Sequence, residues 1–249
     1  MSESNFQETF ISHLVELRDR LVKCIQVFAI VAIPAAYFAP EIYNVLAQPM
    51  VNALPNGSHM IATGVVSPFV IPLKVALCAA FLVVLPFILY QAWAFIAPGL
   101  YQHEKRFVLP LVVSSTLLFL AGIAFCYFVV FPLVFTGIEK FAPNSVTVAT
   151  DIENYFNFAL NMFFAFGLAF ETPVVVIVLV ATGIVRVETL VDIRRYAIVG
   201  ATVISAVVTP PDVGSMLALA IPLCLLYELG IILARLFVKP RQPETEPAA

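Results

Sequence analysis

Long apolar runs alternate with short polar segments along this chain, and its basic residues keep almost entirely to every second segment. Arg18, Arg20 and Lys23 precede the first run, and Lys105 and Arg106 lie between the second and third. Arg186, Arg194 and Arg195 separate the fourth from the fifth, and Arg235, Lys239 and Arg241 close the chain. Of thirteen Lys and Arg, only Lys74 and Lys140 fall outside this set. Positively charged segments are hard to translocate, so cytoplasmic loops retain them. The alternation therefore predicts six membrane spans with both termini in the cytoplasm. Composition agrees: 61% of residues are hydrophobic and 12% charged, against about 25% charged in soluble domains. The expected class is an all-α polytopic membrane protein, a single transmembrane domain over 1–239 with a flexible cytoplasmic tail over 240–249.

Residues 6–22 read as a short amphipathic helix at the cytoplasmic interface. Phe6, Phe10, Leu14, Leu17 and Leu21 recur at helical spacing, while Glu16 and Arg20 form an i,i+4 pair on another face. Acids at Glu3, Glu8, Glu16 and Asp19 argue against a cleaved signal peptide. The spans are placed at about 24–46, 70–97, 107–135, 156–185, 196–209 and 213–237. Those from 70 to 185 exceed the roughly 20 residues that cross a ~30 Å core, so tilts or bends are expected near Pro86, Pro110, Pro132 and Pro173. The fifth is short: Tyr196 to Thr209 rises only about 21 Å before Pro210-Pro211. With Pro222 and Glu228 in the sixth, the last two form a short hairpin that thins the bilayer or packs behind longer helices.

Glu171 is the costliest residue, an acid in mid-span worth about 2.5–3.5 kcal/mol on insertion scales. Asn157, Asn161, Phe164, Leu168 and Glu171 share a helical face. That stripe reads either as a hydrogen-bonded seam between helices or as a polar site receiving a partner. On the cytoplasmic side, Glu16 and Glu104 offer carboxylates. If they converge, they suit guanidinium groups through bidentate, charge-assisted hydrogen bonds; otherwise they pair with Arg20, Lys105 or Arg106. Cys24, Cys78, Cys126 and Cys224 each sit within an apolar run and read as buried thiols, not metal ligands or disulfides. No phosphate loop, HExxH or GxSxG motif occurs. The chain thus reads as a non-enzyme without cofactor or metal, powered from elsewhere.

Five stretches carry a resemblance, in order along nearly the whole chain. They are His13-Leu14-Val15-Glu16-Leu17-Arg18-Asp19-Arg20-Leu21, Ser67-Pro68-Phe69, Phe95-Ile96-Ala97-Pro98-Gly99-Leu100-Tyr101, Phe166-Gly167-Leu168-Ala169-Phe170-Glu171-Thr172-Pro173, and Thr209-Pro210-Pro211-Asp212. The set closely resembles the TatC family, the multispanning subunits of the twin-arginine protein translocase. The resemblance implies a glove-like, concave bundle in the bacterial inner membrane. It implies a receptor that binds twin-arginine signal peptides of folded precursors, works with TatA- and TatB-type single-span proteins, self-associates in a larger complex and draws on the proton-motive force. It assigns signal binding to Glu16, Phe95 and Glu104, and places Glu171 on a concave wall within the bilayer. It links Arg18, Pro49, Tyr127 and Asp212 to activity, and Thr209 and Met216 to partner contact. Gln102 and Met216 depart from the pattern, where relatives carry Lys and Gln. Two rivals remain at this level: a proton-coupled small-molecule transporter relaying through Glu171 and Glu228, and a membrane scaffold without ligand.

Overall fold

A computed structural model describes residues 3–53, 60–96, 108–135, 151–209 and 213–237. Among them the chain is all-helical, apart from one isolated bridge between Ile61 and Asp151. The helices are α1 (Glu3–Tyr37), α2 (Ala39–Ala53), α3 (Ser67–Ile96), α4 (Val108–Phe125), α5 (Ile152–Phe170), α6 (Thr172–Ala181), α7 (Val187–Asp192), α8 (Arg194–Val208) and α9 (Val213–Phe237). A π-helical turn over Cys126–Val130 carries α4 onward to Phe135.

Five stretches are long and apolar enough to cross a bilayer: Ile11–Tyr37, Ser67–Ile96, Leu109–Phe135, Ile152–Ala181 and Val213–Leu236. The sixth helix, α8, has 15 residues, a rise of about 22 Å. For orientation, the side bearing the N-terminus, the end of α3 and the start of α8 is called the basic face, and the other the opposite face.

Prolines set the breaks. No Gly or Pro separates Arg20 from Cys24, so nothing halts the helix there, and α1 runs unbroken from Glu3 to Tyr37. The expected separate amphipathic helix over 6–22 is instead the basic-face end of the first spanning helix. That span also ends earlier than residue 46: the chain turns at Phe38, and Pro40 enters the first turn of α2, where a missing N–H costs nothing. The fourth span divides at Glu171, because Pro173 has no N–H for the Ala169 carbonyl.

Packing follows chain order. Helix α1 lies on α3, α3 on α4, α4 on α5, and α9 pairs with both α6 and α8. Lipid is as apolar as a side chain, so association here rests on close packing and internal hydrogen bonds. Glycines permit that closeness. A Cβ on Gly122 of α4 would stand 2.5 Å from the Phe166 carbonyl oxygen of α5, and one on Gly167 would stand 2.5 Å from the Phe119 ring. An aromatic core fills the opposite-face half: Phe131, Phe156 and Phe166 are fully buried, and Tyr43 stacks on Phe156 at 4.6 Å. Polar ties close the same end. Ser67 donates to Glu153 at 2.6 Å, Lys74 to Asn157 at 3.2 Å, and the Thr63 amide to Asp151 at 3.3 Å.

Candidate functional site

Two candidate regions emerge, one at the basic face and one inside the bundle. At the basic face, the charged end of α1 docks onto the last turns of α3. His13 stacks on Phe95 with ring centroids 4.3 Å apart and planes 19° from parallel. One turn on, Arg20 donates from Nε and Nη2 to the same Glu16 oxygen, Oε1, at 3.0 and 2.6 Å. Its remaining donors reach α3, with Nη1 to Gln91 Oε1 at 3.0 Å and Nη2 to the Ala94 carbonyl at 3.3 Å. Arg20 therefore rivets Glu16 to α3. The other carboxylate oxygen, Oε2, lies 3.9 Å from His13 Nδ1, and the side chain is 39% exposed.

The structure thus brings Glu16 and Phe95 together, through residues that sequence reasoning passed over. Spacing along the chain singles out neither His13 nor Gln91. A buried glutamine inside an otherwise apolar helix was the available signal. The pairing of Glu16 with Arg20 is the alternative to convergence that spacing left open. Glu104, with Gln102, lies outside the described residues. Arg18 turns away from this cluster and pairs with its neighbour Asp19 at 2.8 Å, exposed.

Inside the bundle, Glu171 sits at the α5–α6 break, 8% exposed. Its amide donates to the Leu168 carbonyl at 3.1 Å. The Thr172 hydroxyl donates to the Ala169 carbonyl at 2.7 Å and so occupies the acceptor that Pro173 leaves vacant. Neither Glu171 oxygen makes a hydrogen bond among the described residues. The Ser115 hydroxyl lies toward it without closing a bond of good geometry, and itself accepts from Trp93 Nε1 at 3.0 Å. The expected polar stripe does not hold together. Leu168 is 65% exposed, Asn161 faces outward and Asn157 is taken up by Lys74, while Glu171 turns inward. Because the bend falls at Glu171 itself, helical periodicity cannot be carried across it.

The other expected positions serve contacts between helices. Tyr127, in the π turn, donates to the Val45 carbonyl of α2 at 2.8 Å. Pro49 belongs to α2. Thr209 ends α8 buried, its hydroxyl donating to the Ser205 carbonyl at 2.7 Å, so it retains only acceptor capacity for a partner. Met216 is half-buried on α9, and Asp212 lies outside the described residues. Glu228 accepts from Arg194 Nη2 at 2.7 Å, a tie between α9 and α8. A carboxylate so engaged, near the basic face and with no described group linking it to Glu171, speaks against the relay reading. Among the described residues no cluster of His, Cys, Asp or Glu could hold a metal ion.

Comparison with known proteins agrees with this architecture. The family model described as Sec-independent protein translocase protein (TatC) matches residues 12–222. A Haemophilus influenzae protein of that name is 48% identical over 245 residues, covering 98% of this chain and 95% of its own length. The Escherichia coli K12 protein of the same name is 47% identical over 231 residues, 93% of this chain and 90% of that one. A crystal structure described as the twin arginine translocase receptor TatC superposes with a TM-score of 0.80 at 41% identity, covering 90% of this chain and 98% of that chain. This chain belongs to the TatC family: it is a multi-pass membrane component of a Sec-independent protein translocase, a transport protein and not an enzyme.

Proposed function

We propose that this chain is the signal-receptor subunit of its translocase. It binds twin-arginine signal peptides at a basic face that lies in the cytoplasm, and works in the bacterial cytoplasmic membrane with TatA- and TatB-type single-span partners, using the proton-motive force. The observation that carries this reading is the Glu16 carboxylate, held by Arg20 through one oxygen with its side chain 39% exposed, beside the half-buried Phe95 ring. A carboxylate so placed accepts a guanidinium N–H in a charge-assisted bond. Glu104 supplies the second carboxylate and Phe95 completes the surface, while Arg18 contributes to activity outside it. The inserted signal then lies within reach of the interior near Glu171, while Thr209 and Met216 contact a partner span at the α8–α9 hairpin and Asp212 contributes to activity.

The test is binding of a twin-arginine signal peptide to the parent, Glu16→Ala and Glu104→Ala. Hydrogen bonds to charged groups contribute about 1.5–3 kcal/mol, so each variant should bind roughly tenfold or more weakly while still inserting. Binding equal to the parent in both variants sinks the acid-pair model. Crosslinks from a precursor to probes at residues 16, 104 and 171 separate initial capture from later insertion.

A further inference from the structure

We infer that the Tyr127 hydroxyl stands in for the amide hydrogen that Pro49 lacks, which makes these two distant residues one positioning device for the outer wall of the bundle. In an α-helix the N–H of residue i serves the carbonyl of residue i−4. Within α2 the donor for the Val45 carbonyl is therefore position 49, and proline has no N–H to give. Helix α2 lies beyond the end of the first span, and the carbonyl left without its helical donor needs a side-chain donor from elsewhere in the bundle.

Tyr127 Oη meets that requirement at 2.8 Å, from 82 residues away in sequence. The next carbonyl, Leu46, is met at 3.0 Å by the Tyr155 hydroxyl of α5. Two tyrosines from two helices thus reach two successive carbonyls of α2, of which the proline leaves only that of Val45 without its helical donor. The π turn that carries Tyr127 inserts an extra residue into α4, and such turns re-aim side chains. The chain uses the same chemistry once more, where the Thr172 hydroxyl fills the Ala169 acceptor left vacant by Pro173.

The pinned segment bounds a definite space. Val45, Leu46 and Tyr127 line an apolar cavity of about 310 Å³, shared with Val75 and Cys78 of α3 and Phe163 of α5. Helix α2 packs mainly on α3, so the tyrosine bonds are its polar anchors to α4 and α5. Loss of the Tyr127 bond frees the wall of that cavity and orphans a carbonyl.

The decisive experiment is suppression. Tyr127→Phe, Pro49→Ala, Tyr155→Phe and both doubles with Pro49→Ala are made in the full chain, with its partner subunits present for export and alone for thermal unfolding. Tyr127→Phe should lower the unfolding midpoint by about 2–4 °C and export about fivefold or more, as for the loss of one hydrogen bond between helices. Pro49→Ala restores an amide hydrogen at position 49, so the Pro49→Ala/Tyr127→Phe double should recover both readouts. A general packing role for the ring predicts no recovery. Tyr155→Phe should be milder, because residue 50 still has an amide for Leu46, and Pro49→Ala should not rescue it. A double as impaired as Tyr127→Phe overturns the inference, as does a Tyr127→Phe variant no weaker than Tyr155→Phe. That second comparison needs no change at position 49, should the alanine there prevent insertion. The unfolding readout involves no signal peptide, so it stands or falls independently of the receptor reading.

Discussion

Replacing Glu171 with methionine isolates the cost of an acid buried without a partner. The side chain is 8% exposed, and neither carboxylate oxygen makes a hydrogen bond among the described residues. The substitution therefore breaks no contact that would offset the gain, and methionine has nearly the same length and can follow the same path. Exchanging a buried ionisable group for an apolar one of similar volume is often neutral or stabilising by about 1–4 kcal/mol. An acid at mid-bilayer carries about 2.5–3.5 kcal/mol on insertion scales. A net gain of about 2 kcal/mol corresponds to a midpoint rise of ~4–8 °C for a chain of this size. The midpoint can be followed with a thiol-reactive dye, since Cys126 is buried in the folded protein and becomes reactive on unfolding. Signal-peptide binding and precursor export are measured on the same preparation. The expected outcome is a more stable protein that binds its signal normally and fails to export, which places the acid's role after recognition. A lower midpoint together with lost binding would falsify this reasoning and make the carboxyl part of a structural seam.

Other expectations follow from the same geometry. Gly122→Ala puts a Cβ 2.5 Å from the Phe166 carbonyl oxygen, a backbone atom that cannot rotate away; α4 and α5 must part, and overpacking of this kind costs about 1–3 kcal/mol, visible as a lower unfolding midpoint. An unchanged midpoint would show that the two helices do not pack so closely. At Asp151 burial pulls the carboxyl upward, but hydrogen bonds from Thr63 and from the Glu153 and Asn154 amides outweigh it and hold the group below the usual carboxylate range. A folded-state value below the unfolded one means stability is present above about pH 4 and is lost as pH falls through the folded value. Asp151→Asn should flatten that acid limb in a pH series of unfolding midpoints, and an identical limb would remove Asp151 as its source. Single cysteines at 59, 145 and 212, in a chain lacking its native thiols, should react with an impermeant reagent from outside intact cells, and one at 104 should not. Labelling at 104 would invert the orientation.

What was legible in the sequence is what each segment settles alone. The side on which a loop stays depends on its own lysines and arginines, so the alternation from Arg18 to Arg241 is readable without any tertiary contact. Helix class likewise follows from a bilayer that satisfies no backbone group, which leaves a single chain of long apolar runs little but helices. The helix ends are partly local as well. Pro40 and Pro173 mark real breaks, yet Pro34, Pro72, Pro86 and Pro222 lie inside unbroken helices, because neighbouring packing decides whether a proline bends or ends its helix.

The site was legible in part only. Glu16 and Phe95 could be named from their motifs, but the contact between their helices runs through His13, Arg20 and Gln91, and no pattern along one helix specifies its rotation and axial offset against another. The bond from Tyr127 to Val45 spans 82 residues and that from Tyr155 to Leu46 spans 109. Periodicity placed Glu171 on a stripe with Leu168, and the bend at Pro173 turned one inward and the other out. Local transfer energies therefore set which segments cross the membrane and in which sense. Only the packed bundle, in which hydroxyls such as those of Tyr127 and Thr172 reach specific carbonyls, decided which residues meet.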